Sequence, residues 1–163
     1  RIELINSVFP NSKIIIPFRN PLQHSYSLLN QHKRFCMSQK KNKFILEYMN
    51  LLGHYDFGLA HKSWNKSIDY DNFDDLNYWL EQWYIFFSSL FLNCKDNRSV
   101  IFLSYEKFND NKYLKERILN KIHSFPKFEF TFFNSIKKIN LNYDKVLLKK
   151  CLELYNQLEY SNV

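Results

Sequence analysis

Apolar and polar positions alternate along the chain in two rhythms, one of short unbroken apolar runs and one of three- and four-residue steps. Ser12 to Phe18 (SKIIIPF) is a short apolar run behind the turn-like pair Pro10-Asn11, and it predicts a buried strand. Pro17 cannot donate to a sheet ladder, which puts it near an edge, a bulge or the strand end. Asn20-Pro21 then joins an N-capping side chain to a proline at the first helical position, so a helix is expected from Pro21 to about Phe35. Phe44, Ile45, Tyr48, Met49, Leu51 and Leu52 recur at helical spacing and stop at Gly53, a C-terminal cap. Residues 53–71 are expected to be mostly loop. Leu76, Trp79, Leu80, Trp83, Phe86, Phe87 and Leu90 mark a long amphipathic helix over Phe73 to Leu92.

After the polar turn Lys95-Asp96-Asn97-Arg98, Ser99 to Tyr105 (SVIFLSY) predicts a second strand. A helix over Tyr113 to His123 follows and cannot continue past Pro126. Phe128 to Phe133 fits a strand or a loop, and Val146 to Leu158 is helical in spacing. Helices between strands point to a parallel α/β layer architecture, because parallel strands need crossover connections. Two strands fall short of the about four to six of a stable sheet. The chain also opens at Arg1 without an initiator Met, so the expectation is one domain over 1–163 that lacks an N-terminal part. Its 163 residues suffice for one core, and no internal repeat or linker divides them.

The net charge of +7, from 23 Lys+Arg against 16 Asp+Glu, favours anionic partners. Eighteen of those cations are lysines scattered along the chain, without the clustered arginines or motif of a nucleic-acid reader, so no nucleic acid is expected. The 16 Phe and 11 Tyr recur at core spacing rather than as stacking platforms. Cys36, Cys94 and Cys151 are far apart and odd in number, which suits neither a disulfide framework nor a zinc site. No metal is expected. A reducing, cytoplasmic setting fits, and no run approaches the about 20 apolar residues of a membrane span.

The stretch with chemical content is Lys13 to Phe35 (KIIIPFRNPLQHSYSLLNQHKRF), in which a strand delivers Arg19 to the start of a helix and Ser27 follows eight residues later. Guanidinium is a permanent forked donor to phosphate oxygens, hydroxyl adds one short bond, and a helix N-terminus adds partial positive charge. On spacing alone, Arg19 equally suits a carboxylate partner and Ser27 an ordinary helix face. The segment resembles the 3'-phosphate-binding segment of sulfotransferases, in which a strand ends in Arg-(Asn/Asp)-Pro and a Ser eight residues on meets the same phosphate. Ile101 to Phe108 (IFLSYEKF) resembles that family's later strand and Tyr-Glu-(Asp/Lys) turn. The resemblance implies a contact of Tyr105 with adenine, beside its reading as a core tyrosine. Leu51 to Trp64 (LLGHYDFGLAHKSW) resembles a segment of a bacterial branch. There His54 is a candidate substrate contact or proton-transfer group, or else a cap on the preceding helix.

The resemblance spans Val8 to Lys112 and implies a three-layer P-loop NTPase-like fold, of which this chain is a helix-rich C-terminal part. The activity implied is transfer of a sulfuryl group from 3'-phosphoadenosine 5'-phosphosulfate (PAPS) to an acceptor hydroxyl or amine, the fragment alone being inactive. Arg19, Ser27 and Tyr105 would form the 3'-phosphate and adenine side of the donor site. The family's Gly-containing loop for the 5'-phosphosulfate is missing, since Gly53 and Gly58 are the only glycines and neither lies between a strand and a helix. Its usual upstream base is missing too, Glu3 being the sole carboxylate before the first strand, as is the Arg-Lys-Gly contact of cytosolic animal members. Two other readings stay open: a degenerate, non-enzymatic domain binding an anionic partner, and a nucleotide kinase, which the lack of G-x-x-x-x-G-K-[ST] disfavours.

Overall fold

The first apolar run forms β1 (Ile14–Phe18) and the second β2 (Val100–Ser104), paired in parallel from Ile14 opposite Val100 to Phe18 opposite Ser104. This computed structural model describes residues 2–64, 72–110, 116 and 136–161. Among them the chain is α/β and helix-rich, with six helices and this two-stranded parallel sheet. Pro17 falls inside β1, opposite Leu103, one residue from the strand end. The expected helix Tyr113 to His123 and the segment Phe128 to Phe133 lie outside the described residues.

Ahead of β1 stands α1 (Ile2–Val8), which the sequence pattern did not announce and which buries none of its residues. The helix α2 (Pro21–Lys41) starts where Asn20-Pro21 requires. Asn20 Oδ1 accepts from the Leu22 and Gln23 N–H groups at 3.1 and 3.2 Å, satisfying two of the donors every helix start leaves open. It runs six residues beyond Phe35 because its inner face continues in polar residues: His32 and Gln39 are buried with Ser25 and Leu29. Asn42 both stops α2 and caps α3 (Lys43–Leu51), accepting from Phe44 N–H at 3.0 Å. Helix α4 (Leu76–Cys94) is capped by Asp75, and the final helix α6 (Lys145–Tyr160) by Asp144. Asp144 N–H also donates to Asn77 Oδ1 at 2.7 Å, tying the starts of α4 and α6 together.

Helices α2, α4 and α6 pack on one another, and α6 also meets β2. Their apolar stripes bury Leu29, Trp83, Phe87, Leu154 and Leu158, with Phe18 and Phe102 reaching in from the strands. The segment between α3 and α4 is fastened to α2 by two buried polar side chains. Gln39 Oε1 accepts from Leu59 N–H at 2.6 Å, and His32 Nδ1 accepts from Gly58 N–H at 3.3 Å. Gly58 has φ +94°, and a Cβ there would lie 2.3 Å from Gln39 Oε1. Gly58→Ala is therefore expected to cost about 2 kcal/mol, through backbone strain and the lost Gln39 bond. Gly53→Ala, with φ +69° but open space around its Cβ, should cost less. Urea unfolding of both variants checks the order, and equal costs would show that the Gln39 contact does not matter.

Candidate functional site

Because β1 and β2 end together at Phe18 and Ser104, the residues that follow stand side by side outside the carboxyl ends of two parallel strands. This is the usual ligand position in open α/β sheets. Arg19 Cζ lies 5.6 Å from the Tyr105 ring centroid, within cation–π range. Tyr105 does not sit in a turn as expected. It opens α5 (Tyr105–Asp110), which swings Glu106 toward β1.

Glu106 organises this end of the sheet. Its Oε1 accepts from Asn20 N–H at 3.0 Å and lies 3.7 Å from Arg19 Nε, while its Oε2 accepts from Tyr155 O–H at 3.1 Å. Burial raises the Tyr155 phenol above its ordinary range, which keeps that hydroxyl a neutral donor. Ser104 Oγ is 2.9 Å from Tyr155 Oη and 3.2 Å from Glu159 Oε1, so its single proton is divided between two acceptors. Lys107 closes the network with a 2.8 Å ion pair to Glu159. Two cations thus face two carboxylates, joined by two hydroxyls.

The start of α2 offers a ligand less than the sequence suggested. Asn20 Oδ1 takes the Leu22 and Gln23 amides, Glu106 takes that of Asn20, and Pro21 has none. Only the helix dipole and Arg19 remain as attraction for an anion. Ser27 lies on the same helix, about 9 Å along its axis from Pro21. Its hydroxyl donates to the Gln23 carbonyl at 2.9 Å, the bond of an ordinary helix-face serine. The structure thus joins Arg19 to Tyr105, while Ser27 bonds within its own helix.

His54 is exposed, with Nδ1 3.9 Å from Asp56 Oδ2. Its backbone rather than its ring does the capping: His54 N–H donates to the Met49 carbonyl and Gly53 N–H to that of Asn50, the Schellman pattern with Gly53 at φ +69°. His61 is buried and spoken for, its Nδ1 3.0 Å from the Tyr55 carbonyl and its Nε2 2.6 Å from Tyr78 Oη. His32 Nε2 lies 3.4 Å from Cys36 Sγ, yet this is no nucleophile and base. With Nδ1 accepting from Gly58, Nε2 carries the imidazole proton and cannot take one from the thiol. Burial also raises the Cys36 thiol. Among the described residues no group of three His, Cys, Asp or Glu side chains could hold a metal ion, and no helix is long and apolar enough to cross a membrane.

Sequence reasoning passed over His24. It stands five residues past Arg19 on α2 and lines a cavity of about 380 Å³ between α2 and α4. Burial, aided by the Arg19 charge, lowers it to about 4. The folded state thus binds this proton less readily than the unfolded chain, and the stability so gained is complete above about pH 6.5 and lost as pH falls toward 4. Burial lowers His32 and His61 too, so both add in the same direction. A loss of about 2 to 3 kcal/mol from His24 alone is expected between pH 7 and 4. Urea unfolding across that range checks it: His24→Gln should flatten the slope, and an unchanged slope would remove His24 as its source.

Comparison with protein-family models, with curated proteins and with solved structures finds no significant match to this chain.

Proposed function

We propose that this chain is part of a P-loop NTPase-like, PAPS-dependent sulfotransferase, in which Arg19 and Tyr105 receive the 3'-phosphate and adenine of the donor. The observation that carries the reading is the Arg19–Tyr105 pair at the carboxyl ends of adjacent parallel strands, beside a capped helix start. A guanidinium next to an aromatic face suits a phosphate attached to a nucleoside. Glu106 supports it from another side. Its carboxylate already occupies an anion seat, with the Asn20 amide and the Tyr155 hydroxyl as donors and Arg19 as the cation. A bound phosphate takes that seat at Arg19 and displaces Glu106. PAPS, when bound, supplies the sulfuryl group; this chain's residues position its nucleotide end. Ser27 can join only by giving up its bond to Gln23.

The Arg19–Glu106 contact also favours a second reading, a non-enzymatic domain in which the pair clamps β1 to α5. Titration with adenosine 3',5'-bisphosphate, read by thermal shift, separates the two. Stabilisation that vanishes in Arg19→Ala supports nucleotide binding, and no stabilisation of the parent protein leaves the clamp.

A further inference from the structure

Helix α3 is apolar on two faces and packs only one of them on α2. Ile45, Leu46 and Met49 are its half-buried residues, and Met49 Sδ accepts from Gln39 Nε2 of α2 at 3.1 Å. The other face consists of Phe44, Tyr48 and Leu51, at helical steps of four and three, with Leu52 at the cap. These four are 66%, 50%, 83% and 50% exposed, and the Phe44 and Tyr48 rings stack on each other at 5.8 Å. Single exposed apolar residues are ordinary, whereas several on one helix face mark an interaction surface. Apolarity alone does not name the occupant.

Charge and size narrow the choice. From Asn20 to Leu46 the chain carries five cations, Lys33, Arg34, Lys40, Lys41 and Lys43, and no carboxylate. Arg34, Lys40, Lys41 and Lys43 are exposed, and none of the five is ion-paired among the described residues. Lys40, Lys41 and Lys43 lead directly into Phe44, at the end of α3 where the helix dipole is positive. Glu47 is the sole carboxylate of α3. The surroundings of the apolar face therefore favour an anionic partner. The nine residues of α3 span about 14 Å, whereas a specific protein interface takes about 20 to 30 residues a side. A lipid bilayer needs no such area. A few apolar side chains flanked by lysines bind its surface reversibly, and the helix need not be long enough to cross it.

We propose that α3 docks this protein on an anionic lipid bilayer surface. Phe44, Tyr48, Leu51 and Leu52 enter the boundary between headgroups and acyl chains, while Lys40, Lys41 and Lys43 meet the lipid phosphates and carboxylates. Lysine suits that boundary, because its stem lies along apolar surface while the ammonium stays in the headgroup layer. Lys33 and Arg34, about two turns before Lys41 on α2, add attraction over about a Debye length. The inference does not rest on the nucleotide reading, because Arg19, Tyr105 and Glu106 belong to other elements.

Co-sedimentation with vesicles of phosphatidylcholine alone, and of phosphatidylcholine with about one-third phosphatidylserine, tests the assignment. Binding to the phosphatidylserine vesicles is expected to be about tenfold or more tighter, and to weaken as salt rises. The double variant Phe44→Ser/Leu51→Ser should weaken it about tenfold, and so should Lys40→Gln/Lys41→Gln. Lys149→Gln/Lys150→Gln removes the same charge from exposed positions on α6 and should leave binding unchanged. All substituted side chains are exposed, and circular dichroism establishes that each variant is folded. Absence of phosphatidylserine-dependent binding by the folded parent protein would overturn the proposal. So would equal losses in the α6 variant and the Lys40/Lys41 variant, which would mark attraction by net charge alone. Self-association that Phe44→Ser/Leu51→Ser abolishes, without any vesicle binding, would give the face to a second copy of the chain instead.

Discussion

Replacing Phe18 by alanine is expected to lower the stability of the fold by about 4 kcal/mol. Phe18 is 1% exposed at the last position of β1, where its ring meets Phe87 edge-on at 6.3 Å and Tyr155 at 5.2 Å. Truncation removes a large buried apolar area and leaves a cavity between strand, α4 and α6. It also frees the Tyr155 ring, whose hydroxyl holds Ser104 and Glu106. Phe18→Leu, which keeps most of the volume, should lose less than half as much. Urea unfolding followed by tryptophan fluorescence and by circular dichroism checks both. A loss under about 1 kcal/mol for Phe18→Ala would mean that the end of β1 is not anchored in the core as described.

That anchoring explains which parts of the structure were legible in the sequence. The two strands and the helices α3, α4 and α6 announced themselves through apolar runs and period, and the start of α2 through local chemistry at Asn20-Pro21. The caps Asp75 and Asp144 went unread, and α4 starts at Leu76 and not at Phe73. What period could not show was the last third of α2. Its inner face there includes Gln39, a polar residue that is buried because the loop amide of Leu59 needs an acceptor. A hydropathy pattern reads such a position as surface. The opening helix α1 was illegible for a related reason, since none of its residues is buried and no stripe marks it.

The site divides along the same line. Arg19 and Tyr105 were readable because each follows an apolar run directly, and parallel pairing in register then makes them neighbours. Glu106 carried a signal that sequence reasoning passed over: a carboxylate one residue past Tyr105, beside a strand that ends in arginine. Its reach to Asn20 depends on α5 starting at Tyr105, and the YEKF stretch is too short to show a helical period.

Glu106 is also where the nucleotide reading can be tested most sharply, because the two readings of Arg19 predict opposite signs for one substitution. If an incoming phosphate must displace the carboxylate, Glu106→Gln should tighten adenosine 3',5'-bisphosphate binding about tenfold. The amide retains an acceptor for Asn20 N–H but removes the negative charge that opposes the phosphate. Arg19→Ala should weaken binding by about 3 kcal/mol, more than a hundredfold, since it takes away the forked cation. Arg19→Lys should fall between, keeping charge without the planar geometry. Ser27→Ala should matter little, because its proton is engaged by Gln23 in the free protein. If Arg19 and Glu106 form a clamp instead, Glu106→Gln lowers stability and the bisphosphate shifts neither the parent nor the variant. Calorimetric titration of the four variants at two salt concentrations, with unfolding curves for each, distinguishes these outcomes. An affinity that falls with salt and rises in Glu106→Gln assigns the seat to an anionic ligand, and a loss of stability alone assigns it to the fold.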